Sequence, residues 1–142
     1  MRYLLLLLIP FFFSSFVQGQ DIPLTVISNA KGAPSEINFG TLKSILRGER
    51  QRWPDGTKVV IALMKTNTAT GSTTSKKIYN MSGDELNKFW LALVFQGKSD
   101  APTFFNSTAD LESFVARTPG AIGVTTAGSV VRHIVVEGKI SL

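Results

Sequence analysis

The chain of 142 residues contains no cysteine and a single histidine, His133. Without cysteine there are no disulfides, so packing alone has to hold the fold. A thiol nucleophile, a thiolate metal site and a lipid-modified cysteine at an export cleavage site are excluded by the same absence. His133 sits inside VVRHIVVEG, a strand-like segment, and no sequence signature pairs it with a serine or a carboxylate. It reads as a sheet residue rather than a general base. The Gly-x-Ser-x-Gly pattern of a nucleophile elbow does not occur. Carboxylates are scattered or adjacent, as in Asp84-Glu85, and adjacent residues of a helix do not face the same way. These absences point away from an enzyme, and neither a metal nor a cofactor is expected.

Clustered charge is also scarce. There are 15 lysines and arginines against 10 acidic residues, dispersed apart from Arg47/Arg50/Arg52 and Lys76/Lys77. No basic run with interleaved aromatics is present, so nucleic acid is not an expected partner. A mild positive balance suits an anionic small ligand or an anionic surface, and it also serves plain solubility.

Apolar runs of membrane length are missing as well. Leu4–Phe13 is nearly unbroken, interrupted by Pro10, but is shorter than the ~18–20 residues that span a bilayer. It follows Arg2 and gives way to the small and polar stretch Ser14–Gly19. That order is the pattern of a cleavable export signal, with Val17 and Gly19 before the cut. The expectation is cleavage between Gly19 and Gln20. Residues 1–19 are then a signal peptide and residues 20–142 a single domain, periplasmic or secreted, with no stable membrane anchor after cleavage. One ordinary core suits that length and two do not.

The remaining chain alternates between strand and helix signals. Leu24–Ser28 is β-branched and alternating, so it reads as a first strand. Asn38 caps a short helix, Phe39 to Leu46, whose apolar positions share one face and which Gly48 ends. Trp53-Pro54-Asp55-Gly56 is a tight turn. Lys58–Met64 is almost continuously apolar, as a central strand buried on both faces would be. Thr66–Thr74, with five threonines and one glycine, reads as a loop. Ser75 to Tyr79 suits a helical turn or more. Ser82 and Glu85 form a capping box for a helix to about Phe95, with Leu86, Phe89, Trp90, Leu93 and Val94 on one stripe. Ser107 or Thr108 caps a further helix to Arg117. Ala121–Thr125 and Val130–Val136 are strands, and Lys139–Leu142 extends or pairs with the latter. Phe104-Phe105 is either an anchor under the sheet edge or an exposed contact surface. The fold class is α/β, a mixed β-sheet flanked by helices.

The loop Thr68–Ser75 is the best chemical candidate. A Gly/Ser/Thr loop ahead of a helix offers hydroxyls and backbone N–H groups to an anion, aided by the helix dipole. Gly71, Ser72, Thr73 and Thr74 would ring an oxyanion, with Lys65 or Lys76 adding charge. A solvated surface loop is the competing reading of the same residues.

Several segments, in order, resemble the phosphate-binding-protein-like family, relatives of the solute-binding component of phosphate ABC transporters. They are Leu42-Lys43-Ser44-Ile45-Leu46-Arg47-Gly48 with Trp53-Pro54-Asp55-Gly56, then Phe89-Trp90 with Phe95-Gln96-Gly97-Lys98 and Pro102, then Phe114-Val115-Ala116-Arg117-Thr118-Pro119-Gly120-Ala121-Ile122-Gly123. The resemblance implies one lobe of the type 2 periplasmic binding protein fold, corresponding to the second lobe of complete members. Their Gly-Ser-Gly-Thr phosphate loop corresponds to Thr70-Gly71-Ser72-Thr73-Thr74. The second glycine is Thr73 here, and Lys65 is the nearest cation where the family has an arginine. Lysine lacks arginine's two-pronged fit to an oxyanion. The implied function is an exported solute-binding-like domain for phosphate or another oxyanion. Its implied partners are an ABC transporter permease, a sensor protein or a second copy that completes the site. The alternative is an extracytoplasmic interaction domain that keeps the lobe's fold without a ligand.

Overall fold

The computed structural model describes residues 22–126 and 131–138. The expected signal Met1–Gly19 and the expected terminal extension Lys139–Leu142 lie outside them, as does Val130. In chain order the elements are β1 (Leu24–Ser28), β2 (Glu36–Asn38), α1 (Phe39–Leu46), β3 (Val60–Met64), α2 (Ala69–Lys77), α3 (Gly83–Phe95), β4 (Thr103–Phe105), α4 (Thr108–Arg117), β5 (Ala121–Thr126) and β6 (Val135–Glu137).

The main sheet runs β1-β5-β3-β4. Strands β4 and β5 flank β3 in parallel, and β1 closes the far side antiparallel to β5. The sheet is therefore mixed, as its irregular strand and helix order implies. Its central strand is the most continuously apolar one, because a parallel strand covered on both faces has no solvent side. Alternation along β3 divides the core. Ile61 and Leu63 join Leu42, Leu46, Ile78, Tyr79, Leu86, Trp90, Ile122 and Val124 on one face. Ala62 and Met64 join Ile27, Leu111, Val115 and Ala121 on the other. Helices α1, α2 and α3 thus cover one face and α4 covers the opposite one.

Local signals set the helix ends. Asn38 Oδ1 accepts the Thr41 N–H at 2.7 Å, and Ser82 Oγ accepts that of Glu85 at 3.2 Å. For α4 the cap is Ser107, not Thr108, its Oγ accepting the Asp110 N–H at 3.2 Å. The Trp53–Gly56 turn closes through a Gly56 N–H to Trp53 carbonyl bond of 2.8 Å. Asp55 accepts the Thr57 N–H there, which holds its carboxyl below the usual range. Trp53 is buried and donates its indole N–H to the Gly120 carbonyl at 2.8 Å, tying this turn to the Pro-Gly turn ahead of β5.

Three expectations need correction and one open alternative is resolved. The threonine-rich stretch is mostly helix, since α2 begins at Ala69. The strand expected over Val130–Val136 is split. His133 forms an exposed bridge to Ile27, and β6 then pairs in parallel with β2 in a separate small sheet. Val94 leaves the apolar stripe of α3 and is exposed, because its position falls at the border between the buried face and the outer one. Of the two readings of Phe104-Phe105, the anchor at the sheet edge holds: both are half-buried in the edge strand β4, and the Phe105 ring lies tilted against Phe114 with centroids 5.2 Å apart.

Candidate functional site

In open α/β sheets, ligands gather outside the carboxyl ends of the parallel strands, where helices begin. Here that edge lies beyond Met64 of β3 and Phe105 of β4. The Lys65 N–H donates to the Phe105 carbonyl at 2.9 Å, which carries the pairing one residue past the strand. The chain then reverses through Thr66 and Asn67. Thr68 closes this turn twice, its N–H and its hydroxyl both donating to the Lys65 carbonyl, at 2.9 and 2.7 Å. Thr68 Oγ1 also accepts the Gly71 N–H at 3.0 Å and so caps α2.

Helix α2 can start this close to the strand only because residue 71 is glycine. A Cβ at that position would lie 2.0 Å from the Lys65 carbonyl oxygen and 2.7 Å from that of Met64. Both are backbone atoms and no rotamer change can clear them. Gly71 is therefore a packing residue that seats the positive end of α2 on the end of the central strand.

The five residues singled out in the sequence are adjacent in space, with different tasks. Thr73 Oγ1 donates to the Ala69 carbonyl at 2.9 Å, and Thr74 Oγ1 to the Thr70 carbonyl at 2.8 Å. These hydroxyls are turned onto their own helix. Thr74 is buried, Ser72 and Thr73 are half-buried, and the Gly71 amide is already held by Thr68. Lys65 alone of the five is exposed, and among the described residues it has no ion-pair partner. Lys76 is exposed too, at the far end of α2.

Lys65 lines an open crevice of about 440 Å³ together with Thr66, Asn67, Asp84, Asn87 and Phe104. Asn87 donates to Thr66 Oγ1 at 3.2 Å. Gly83, the first residue of α3, packs on Thr66 closely enough that a Cβ would meet the Thr66 Cβ at 3.0 Å. The first turn of α3 thus packs on Thr66, two residues ahead of the cap of α2, and both helix starts carry partial positive charge. Among the described residues the Ala69 and Thr70 amides in the first turn of α2 have no acceptor. One wall opposes an anion: Asp84, which also serves the dipole of α3. Thr66, Asn67 and Asn87 were not read from the sequence as site residues, and Thr68 was read only as the start of the candidate loop. The available signal was positional, a threonine cap shortly after the most continuously apolar strand.

A second cavity of about 430 Å³ lies between β2, α1 and the Trp53-Pro54 turn, lined by Glu36, Arg50 and Arg52 among others. Arg52 is engaged with the Gly56 carbonyl at 2.9 Å. Among the described residues no three His, Asp or Glu side chains gather where a metal ion would sit, and no helix is long and apolar enough to cross a membrane.

No family model and no curated protein matches the sequence. Solved structures match the fold over most of the described chain. An ABC-type phosphate transport receptor from Vibrio cholerae superposes with a TM-score of 0.64 at 15% identity, over 81% of this chain and 46% of that one. A protein from Clostridium perfringens, described as a phosphate ABC transporter substrate-binding protein and solved with bound phosphate, gives 0.64 at 12% identity, over 84% and 47%. PstS from Borrelia burgdorferi gives 0.62 at 17% identity, over 84% and 49%. The chain spans about half the length of the solved structures it matches. The resemblance carried by the leucine helix, the Trp-Pro-Asp-Gly turn and the Thr-Pro-Gly-Ala strand entry holds at the level of fold. The chain folds as a phosphate-binding-protein-like α/β domain, the size of one lobe of the substrate-binding proteins that share its fold.

Proposed function

We propose that this chain is an exported solute-binding-like domain that takes phosphate or another oxyanion at the carboxyl edge of β3, in the service of an ABC transporter or a sensor. The observation that carries the reading is the position of Lys65. It stands on a crevice where the end of a central parallel strand meets the first turn of α3, three residues ahead of the cap of α2. The Lys65 ammonium supplies charge, the exposed Ala69 at the start of α2 supplies a free amide, and the Thr66 hydroxyl supplies orientation. The hydroxyls of Thr73 and Thr74 act behind them, holding the helix rather than the ligand. Residues 1–19 direct export, and protein recovered from its host begins at Gln20.

An open crevice with one cation and an opposing carboxylate binds weakly, since solvent competes for every hydrogen bond. The expected affinity is millimolar, on the order of 4 kcal/mol. A ligand bound only by the folded state stabilises it by about 1.4 kcal/mol at ten times its dissociation constant. Phosphate also stabilises proteins by exclusion from their surface, so the test is a difference. Thermal unfolding in phosphate should rise more for the wild type than for Lys65→Ala, and more still for Asp84→Asn. Equal rises in all three would refute the site.

A further inference from the structure

Two guanidinium groups line the cavity of about 430 Å³ between β2, α1 and the Trp53-Pro54 turn. They belong to Arg50 and Arg52, and Gln51 between them reaches instead to the Lys98 carbonyl. Alternate residues of an extended segment share a side, and this segment is pinned. The Gln51 carbonyl accepts the Val59 N–H at 2.9 Å, Arg52 forms an antiparallel bridge with Lys58, and the Trp53 N–H donates to the Thr57 carbonyl at 2.8 Å. Arg52 is fixed further by its bond to the Gly56 carbonyl at 2.9 Å, which leaves its other donors free.

Among the described residues no carboxylate lies within ion-pair distance of either guanidinium. The nearby acids are engaged elsewhere. Glu49, next to Arg50, pairs with Arg47 at 3.6 Å, and Asp55, on the Arg52 turn, accepts the Thr57 N–H at 2.8 Å. Glu36 is on the cavity wall but lies against Glu137 of β6. Their hydrogen bond first, and the like charge second, hold the Glu36 carboxyl above its usual range. The cavity thus gathers positive charge that the fold itself does not neutralise.

The rest of the lining is apolar. Ile37, Ile45 and Trp53, all core residues, border it between Pro34 and Pro54. Its volume is within the roughly 300–1,000 Å³ of small-molecule sites, which combine an apolar lining with a few placed polar groups. An inorganic oxyanion would use the arginines and leave the apolar walls wet. A carboxylate on a short hydrocarbon or aromatic body uses both. The guanidinium fork matches a carboxylate with two parallel bonds, and the body removes apolar surface from water.

We propose that this cavity is a second binding site, for a small organic carboxylate, with Arg50 and Arg52 on the anionic end and Ile37, Ile45 and Trp53 along the apolar body. It does not rest on the oxyanion reading, since no residue lines both this cavity and the Lys65 crevice. Glu36 opposes the ligand and keeps the affinity low.

An NMR titration of labelled protein with hexanoate tests it, read from the Trp53 indole N–H and the amides of residues 50–54. Saturable shifts at millimolar hexanoate are expected. Hexanamide, the uncharged analogue, and inorganic phosphate should each bind there roughly tenfold more weakly or worse. Arg50→Ala is the cleanest variant, because the Arg50 side chain ties nothing in the fold together, and it should weaken hexanoate roughly tenfold. Arg50→Lys should recover only part of that loss, since lysine keeps the charge without the fork. Glu36→Gln should tighten binding, and Lys65→Ala should leave it unchanged. A Trp53 indole that stays still at tens of millimolar hexanoate, with the fold intact, would overturn the proposal. So would indifference to Arg50→Ala. Hexanamide bound as tightly as hexanoate would reduce the cavity to an apolar hollow, and phosphate bound as tightly would make it an inorganic-anion site; either result removes the organic carboxylate.

Discussion

Helices α2 and α3 follow one another in the chain and are built on opposite principles. Helix α3 buries Leu86 and Trp90, with Phe89 and Leu93 half-covered, and area removed from water holds it. Helix α2 buries Thr70, Gly71, Thr74 and Ser75. Its buried hydroxyls are neutralised locally, Thr74 donating to the Thr70 carbonyl and Ser75 to the Gly71 carbonyl, both at 2.8 Å. Small side chains that satisfy themselves let α2 approach the backbone of β3 more closely than leucine would allow. The difference divides labour. One helix supplies core, and the other places its positive end on the end of the central strand.

The comparison breaks most visibly at Trp90. Its truncation to alanine should cost about 3–5 kcal/mol in urea unfolding, the usual range for a buried large aromatic. A loss under about 1 kcal/mol would mean that α3 is not held by its apolar face. Next comes Gly71→Ala, expected to cost about 2–3 kcal/mol by overpacking against backbone that cannot rotate away. The matching change in α3 sharpens the point. At Gly83 a Cβ would press chiefly on the Thr66 side chain, while alanine favours a helix over glycine by about 1 kcal/mol. Gly83→Ala should therefore fall within roughly 1 kcal/mol of wild type. Equal costs at the two glycines would remove the distinction between the helices. The smallest effect belongs to the caps. Thr68→Ala and Ser82→Ala should each lose about 1 kcal/mol, and only the former should also disturb the Lys65 crevice, read from amide shifts at residues 65–72.

The same contrast explains what could be read from the sequence. Strands β1, β3 and β5 announce themselves by β-branched or continuous apolar residues, and α1, α3 and α4 by a cap followed by a periodic apolar face. Helix α2 carries no such face. Its buried positions are Thr, Gly and Ser, which in isolation favour turns because their side chains compete for the backbone. Only the strand end behind it makes a helix of them. Strands β2, β4 and β6 are three residues each, too short for a period to show, and their partners are distant in sequence. Lys65 was singled out as the nearest cation ahead of the threonine-rich loop, and Gly71 as a member of that loop. The packing role of Gly71 was not legible, since the carbonyl 2.0 Å from its would-be Cβ belongs to Lys65, at the end of a strand the helix packs on.

The most direct test of the account is an NMR titration of labelled protein with phosphate and, separately, sulfate. If the carboxyl edge of β3 is the working face, the amides of Lys65 to Thr70 shift in a saturable way at millimolar anion. Those shifts weaken in high salt and shrink in Lys65→Ala, while the Thr73 and Thr74 amides move little. If the Lys65–Thr70 amides stay still at tens of millimolar of either anion, with the fold intact, the crevice is not an oxyanion site and the domain keeps the lobe's fold without its ligand.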